Sequence, residues 1–329
     1  MAWSTRETQA RRSIGMGISH TFDRVMDMTH NAYSAGLGPY DTWCVDPAIT
    51  ASGDGKTWEG AWKTMTEAID ACSDGDTVLL AGTLTEHIDY SSYAAGPNRI
   101  RILGAGEGIE AAVWLQVLLG TSTSHMIDLQ CHGWTFDNIQ FRGPKAYSII
   151  KLDMPTSAGG ARCTTIKNCW LRRPAGSGDE HNIGIEFVSV YDCHIINNDI
   201  MIGGNDDNSW GMTQTEVGFT FPNAITIMGN RFQECENQIH LDLINSHVLY
   251  NIFQSQGYTQ ATTEHLNLGL GYANTVFGNS FGGNYTTDGG SYVAGSGDNW
   301  AGNFSTDTGE AEVADNGITV AVPAAGAAD

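Results

Sequence analysis

An apolar residue followed two places on by Asn, Gly or Tyr, and five places on by Phe, Leu or Ile, is written six times along this chain. The matches are Phe136–Phe141, Ile166–Leu171, Ile195–Ile200, Ile227–Phe232, Val248–Phe253 and Val276–Phe281. Successive copies start 30, 29, 32, 21 and 28 residues apart, and a degenerate copy, "WAGNF", follows at 300–304. The last four full copies carry Asn at the fourth place: Asn198, Asn230, Asn251 and Asn279. A repeat of this length is the signature of a stacked architecture, in which no unit closes a core alone.

A second apolar–polar alternation accompanies the repeat: "IKLDM" (150–154), "IGIEF" (183–187), "VGFTF" (217–221), "IHLDL" (239–243) and "LNLGL" (266–270). Alternation of period two marks strands with one buried face. Strand, bend, strand and variable loop, repeated in parallel, would place each unit about 4.8 Å from the next and bury the apolar positions in a tube. Phe141, Leu171, Ile200, Phe232, Phe253 and Phe281 are then expected to form one inward stack. The repeated Asn is expected at the bend, in left-handed geometry, with its amide bonded to the Asn above and below. An antiparallel sandwich also alternates, but it gives no reason for Asn and Phe to keep fixed offsets. Gly numbers 40 and hydrophobic residues make up 41%, which suits a turn-rich β architecture.

The N-terminal part of the pattern is different. In "GDGKTWEGAWKTMTEAIDA", Trp58, Trp62, Met65, Ile69 and Cys72 fall at helical spacing. "GDTVLLAGTLTE" and "RIRILGAG" then read as strands. Together these segments resemble the entry of right-handed parallel β-helix proteins with the pectate-lyase-like fold. The resemblance implies an all-β, single-stranded solenoid whose N-terminal helix covers the open end of the tube, where backbone groups would otherwise be unpaired. It divides the chain into a partly helical arm at 1–40, a capping helix and first coils at 41–110, a β-helix at 111–305, and a C-terminal strand and tail at 306–329. A cap and rungs of this kind say little about activity.

Net charge is −21, from 37 acidic and 16 basic residues, and no Lys or Arg follows Arg231. Such a surface repels nucleic acid and anionic membranes, so neither is an expected partner. The first residues lack the apolar middle of a secretion signal, and no stretch is apolar for the 18–20 residues a membrane span needs. Seven cysteines, with no CxxC pair and no second pair to join Cys131-His132 or Cys193-His194, read as reduced, packed thiols rather than metal ligands. No cofactor is expected.

Many proteins of the resembled fold cleave acidic polysaccharides, so a catalytic reading has to be weighed. Aligning the alternating strands puts Lys151, Gly184, Gly218, His240 and Asn267 in one outward column. Asp153, Glu186, Thr220, Asp242 and Gly269 form the next. Asp153 and Glu186 would lie one rung apart and Glu186 and Asp242 two, about 5 and 10 Å, which bracket the carboxylate separations of retaining and inverting glycosidases. The candidate catalytic residues are therefore Asp153, Glu186, Asp242 and His240. Against them, Asp206-Asp207 has no accompanying Gly-His-Gly or Arg-x-Lys of the polygalacturonase-like enzymes. The basic residues on the mapped strands reduce to Lys151 and Arg231.

Three insertions, 154–165, 172–182 and 201–216, read as loops able to carry partner contacts, with Trp210 and Met212 exposed on the longest. That loop also holds Asp206, Asn208 and Glu216, a weak fragment of a calcium-loop pattern. Arg172-Arg173-Pro174 either pairs with acids of a neighbouring subunit or faces water. Residues 1–40 fit neither cap nor rungs and carry four of eleven arginines, while the end holds one alternating strand, Ile318-Val320-Val322, expected to pack on the last rungs or on a neighbouring subunit. This layout resembles virion proteins of tailed bacteriophages. The expectation is a non-enzymatic virion protein on the particle surface, assembled in the host cytoplasm, trimeric, and docked to capsid or other virion proteins through residues 1–40. The alternative is a tailspike-type depolymerase or spike that binds a host glycan.

Overall fold

The computed structural model describes residues 40–90, 96–105, 112–115, 124–143, 147–154, 160–172, 182–202, 209–215, 221–254, 264–282 and 292–305. The 1–40 arm (but for Tyr40), the tail at 306–329, Gly218, Thr220 and the calcium-loop candidates Asp206, Asn208 and Glu216 lie outside the described residues.

The chain is a right-handed parallel β-helix. Each complete coil contributes one strand to each of three parallel sheets, which hold ten, nine and eight strands among the described residues. One coil runs Thr165–Lys167 in the ten-stranded sheet, Trp170–Arg172 in the nine-stranded sheet and Asn182–Val188 in the eight-stranded sheet. It then enters the next coil at His194–Ile196.

The six repeats superimpose as their spacing predicts. The first apolar positions stack in the ten-stranded sheet, Phe136 on Ile166, then Ile195, Ile227, Val248 and Val276. The second positions stack in the nine-stranded sheet, Phe141 on Leu171, then Ile200, Phe232, Phe253 and Phe281. All twelve side chains are buried. The last three phenylalanines form a column of parallel rings, with centroids 5.1 and 4.9 Å apart and planes within 9° and 6°.

Between the two sheets runs the asparagine ladder. Asn198 Nδ2 donates to Asn230 Oδ1 at 2.9 Å, Asn230 to Asn251 at 3.1 Å, Asn251 to Asn279 at 3.0 Å and Asn279 to Asn303 at 2.9 Å. The degenerate "WAGNF" therefore supplies a further ladder residue. The left-handed geometry expected at these asparagines falls one residue earlier: on Asn138, Asn168, Asn197, Gly229, Tyr250, Gly278 and Gly302, with φ between 54° and 68°. The left-handed residue makes the bend, and the next side chain is thereby turned inward, where its amide is buried.

A second tight bend, from the eight-stranded back to the ten-stranded sheet, repeats the device. Positive φ occurs at Gly133, Cys163, Asp192, Ala224, Asn245, Ala273 and Gly297. A shorter ladder follows it: Ser246 N to Asn274 Oδ1 at 3.0 Å and Asn274 Nδ2 to Asp298 Oδ1 at 2.9 Å.

The capping helix, α1, spans Met65–Ala71, shorter than its apolar spacing suggests. Thr64 caps it in a reciprocal box with Glu67, and Glu86 accepts from Met65 N at 2.8 Å. Trp58 and Trp62 precede this start. Trp62 instead bridges Val45 and stacks on Trp43, with centroids 4.8 Å apart. The helix buries Met65, Ala68 and Ile69. It is not long and apolar enough to cross a membrane.

All seven cysteines are free thiols. Burial pushes Cys169 and Cys193 up to about 12, so they stay protonated as small apolar core residues.

Candidate functional site on the eight-stranded sheet

The outward face of the eight-stranded sheet collects the polar side chains that the sequence singles out, but in a different register. Lys151 pairs with Glu186, Glu186 with Thr213, Thr213 with His240, and His240 with Asn267. The column is Asp128–Lys151–Glu186–Thr213–His240–Asn267. Asp153 pairs with Val188, so the expected Asp153–Glu186 neighbours do not form.

The strand after Asn182–Val188 is Ser209–Gln214, not 217–221. Its alternation is masked in sequence because Gly211 lies where a Cβ would come within 2.5 Å of the Gln238 carbonyl oxygen and 3.0 Å of the Phe232 ring. Met212, expected on an exposed loop, is fully buried, and Trp210 is half-buried.

Two of the candidate carboxylates hold the protein together. Glu186 is 6% exposed and accepts from the hydroxyls of Ser148 and Thr215 on either side of it. Asp242, also 6% exposed, accepts from Gln214 Nε2 and Leu270 N, both at 2.7 Å. Buried carboxylates bonded to neighbouring coils in this way are positioned as acceptors. His240 is half-exposed; its Nδ1 lies 2.8 Å from Glu264 Oε2, and the edge-on ring of Trp210 has its centroid 5.5 Å away. That contact to Glu264 holds the His240 pKa above its usual value, against the opposing effect of burial.

A denser charge cluster sits nearer the N-terminal end of the same sheet. Lys151 Nζ lies 3.3 Å from Asp128 Oδ2 and 3.4 Å from Asp153 Oδ2, while His125 Nδ1 lies 3.6 Å from Glu186 Oε2. Gln130 Nε2 donates to Asp153 at 3.2 Å. Burial raises the Asp128 carboxyl, with Lys151 opposing, and lowers His125, with Glu186 opposing. Burial would lower Lys151, but Asp128 and Asp153 more than reverse it. The ammonium therefore already occupies the centre of the acids. Among the described residues no group of three His, Cys, Asp or Glu is placed to hold a metal ion. His125 and Asp128 were not apparent in the sequence; the only trace is the alternating "IDL" of 127–129.

No protein-family model matches the chain, and no curated protein matches it by sequence. Solved structures do share its architecture. A GH136 lacto-N-biosidase from Eubacterium ramulus superimposes with a TM-score of 0.54 at 14% identity, over 85% of this chain and 57% of that one. Pectate lyase Pel9A gives 0.45 at 16% identity, over 76% and 65%. The Dettilon tailspike protein gives 0.41 at 12% identity, over 85% and 62%. The chain thus spans 57–65% of the length of these three proteins. At such identities the likeness is one of fold: the protein is in the class of parallel β-helices.

Proposed function

We propose that the protein is a glycan-recognising parallel β-helix of a bacteriophage particle, with its saccharide site on the outward face of the eight-stranded sheet. The observation that carries this reading is the run Thr213–His240–Asn267 on consecutive strands, flanked by the half-buried ring of Trp210. A saccharide needs an apolar ring surface beside closely spaced hydrogen-bonding groups, and this is such a set. The neighbour at TM-score 0.54 is named as a lacto-N-biosidase, a protein that acts on a glycan, and this agrees with the reading.

Binding rather than cleavage is favoured because Glu186 and Asp242 are committed to hydrogen bonds within the protein. The particle-bound part of the proposal rests on the sequence. Residues 1–40 carry four arginines in amphipathic segments on an otherwise acidic chain, a composition suited to docking on virion proteins, and three copies around one axis would give a stiff spike.

Titration of the full chain with a panel of neutral and acidic oligosaccharides tests the site. Binding is expected to weaken at least ten-fold in Trp210→Ala and Asn267→Ala, with folding preserved. A panel that yields no ligand, or variants that bind as well as the parent, would overturn it. Loss of capsid binding on deletion of residues 1–40 is the matching test of the arm.

One observation favours a second reading, glycan cleavage: Asp128, Lys151, Asp153, His125 and Glu186 gather acid and base groups within salt-bridge distance. Release of oligosaccharide products, abolished by Glu186→Gln or Asp242→Asn, would establish that reading instead.

A further inference from the structure

One lengthwise row of outward side chains on the ten-stranded sheet changes character along the tube. Read across adjacent strands it is Asp137–Lys167–Ile196–Met228–Leu249–Phe277–Ala301. Its first two members form an ion pair, with Lys167 Nζ 3.2 Å from Asp137 Oδ2. From Ile196 onward the row is apolar: Ile196, Met228 and Leu249 are half-buried, and Phe277 is 40% exposed. Five strands about 4.8 Å apart make a stripe roughly 19 Å long, parallel to the axis of the tube. In these coils the face and both bends that border it are described throughout, whereas the long connections fall between the nine- and eight-stranded sheets.

Tyr250 widens the stripe at the bend, and core packing does not account for its conformation. It is 57% exposed, yet it lies in the left-handed region at φ 54°, a strained position for a bulky residue. The equivalent residues of neighbouring coils are Asn197, Gly229, Gly278 and Gly302, which take that geometry more readily. The bend alone does not require glycine at 278, since Asn197 and Tyr250 hold the same φ. The ring of Tyr250 does require it: a Cβ on Gly278 would lie 2.7 Å from that ring. A Cβ on Gly302 would likewise lie 3.1 Å from the ring of Phe277. Each ring is laid down on the glycine of the next coil, and the two meet edge to face with centroids 5.6 Å apart. Two exposed rings are thereby held in place, which lowers the entropy lost when another surface closes over them. Across the bend, Ile252 and Phe304 add further exposed apolar side chains.

Charge indicates what covers this stripe. The chain carries −21, so two copies repel each other over most of their surface. From Leu243 to Ser305 the sequence holds no Lys or Arg and three acids, Glu264, Asp288 and Asp298. Glu264 belongs to the eight-stranded sheet, and Asp298 is buried and bonded to Asn274; Asp288 lies outside the described residues. On the flank of the earlier coils, Asp199 and Arg231 are adjacent and opposite in sign. At physiological ionic strength charges beyond about 8 Å are screened, so apolar burial along the stripe meets little opposition. A basic partner would be drawn to the acidic faces instead, and an acidic one refused by them. A second copy is the acidic partner that brings a matching uncharged stripe.

We infer that the stripe from Ile196 to Ala301, with Tyr250, is the surface through which copies of this chain associate, tubes side by side and stripes facing one another. The inference rests on the assembly part of the reading above, to which it gives a contact surface, and is independent of the glycan part.

Sedimentation velocity of the full chain from about 1 to 100 µM tests it, the range in which interfaces of modest area dissociate. Leu249→Glu, Phe277→Glu and Tyr250→Gly are each expected to raise the dissociation constant at least about ten-fold. Thr85→Glu, exposed at the N-terminal end of the nine-stranded sheet, should leave it unchanged. Tyr250→Gly gives the sharpest reading, because glycine accepts left-handed geometry without strain. The Tm of the dissociated protein should not fall in that variant, as it would if the ring served its own coil alone.

A parent that stays monomeric at the highest concentration overturns the inference together with the assembly reading, and leaves the glycan reading standing. Association undiminished in the three stripe variants overturns the inference alone. So does association that appears only after removal of residues 306–329, which would make the chain's own end the cover of the stripe. Should circular dichroism show that Phe277→Glu does not fold, Leu249→Glu and Tyr250→Gly decide the question.

Discussion

Asn230 is bonded twice to Asn251, one coil further on: its main-chain N–H donates to Asn251 Oδ1 at 2.9 Å and its side-chain Nδ2 to the same oxygen at 3.1 Å. Asn251 in turn donates to Ile227 O and Asn279 Oδ1, both at 3.0 Å. Each ladder residue thus satisfies the backbone of one coil and the amide of the next, and all are buried from solvent. Asn251→Ala strands two buried donors of Asn230, at about 1–3 kcal/mol each. The expected loss is about 3 kcal/mol, or roughly 6–12 °C in Tm for a domain of this size. Thermal unfolding followed by circular dichroism reads this, and an unchanged Tm would show that the ladder is incidental.

The ring column beside the ladder makes a separate demand. Phe253 lies between Phe232 and Phe281 with near-parallel planes, and each of the three is at most 1% exposed. Backbone hydrogen bonds on both sides fix the coil spacing, so the walls of a cavity cannot collapse. Phe253→Ala is expected to cost about 3–5 kcal/mol, and Phe253→Leu clearly less. Denaturant midpoints for the two variants provide the check; equal losses would mean that ring stacking and cavity volume are not what matters here.

The contrast between these core positions and the outer surface explains what could be read from sequence alone. Phe136 to Phe281 were legible because one side chain every coil meets the same environment, so selection for packing writes a period into the chain. The ladder asparagines were legible for the same reason, although the bend belongs to the residue before each.

Outward positions face different neighbours on every coil and carry no period. Alternation alone therefore sets Glu186 against Asp153, two residues away from its true partner, Lys151. Ser209–Gln214 was hidden because Gly211, needed for close packing, breaks its apolar alternation. His125, Asp128 and the Tyr250–Phe277 pair come together only through coil stacking, over 23 to 61 residues of sequence.

His265 makes the core sensitive to acid. It is fully buried beside the stacked rings of Phe253 and Phe281, with Nδ1 2.7 Å from Gln238 Oε1, and burial lowers its pKa to about 3 from 6.5. The folded protein keeps it neutral while the unfolded chain takes up a proton, so lowering the pH favours unfolding. The stability tied to His265 is full above pH 6.5 and falls by about 1.4 kcal/mol per pH unit as pH drops towards 3. Comparing the parent with His265→Phe between pH 7 and pH 4 isolates the effect. The variant is expected to lose less stability over that interval, and parallel curves would refute the assignment.

His240 and Glu264, on the outer face, give the opposite response on the alkaline side. The His240 pKa is raised, chiefly by its hydrogen bond to Glu264. Burial would raise that of Glu264, but the bonds from His240 and Asn267 bring it below 4.5. The histidine contribution is complete below 6.5 and is lost as pH rises through its higher folded value. The glutamate contribution is complete above 4.5 and is lost as pH falls through its lower folded value. Their shared stabilisation is therefore greatest between pH 4.5 and 6.5 and fades on both sides. The Tm difference between the parent and Glu264→Gln, measured from pH 3 to 9, should follow that bell. Because the same histidine touches Trp210, saccharide affinity at the Thr213–Asn267 column should follow it too. A flat Tm difference would dismiss the ion pair, and a bell in Tm without one in affinity would separate His240 from the site.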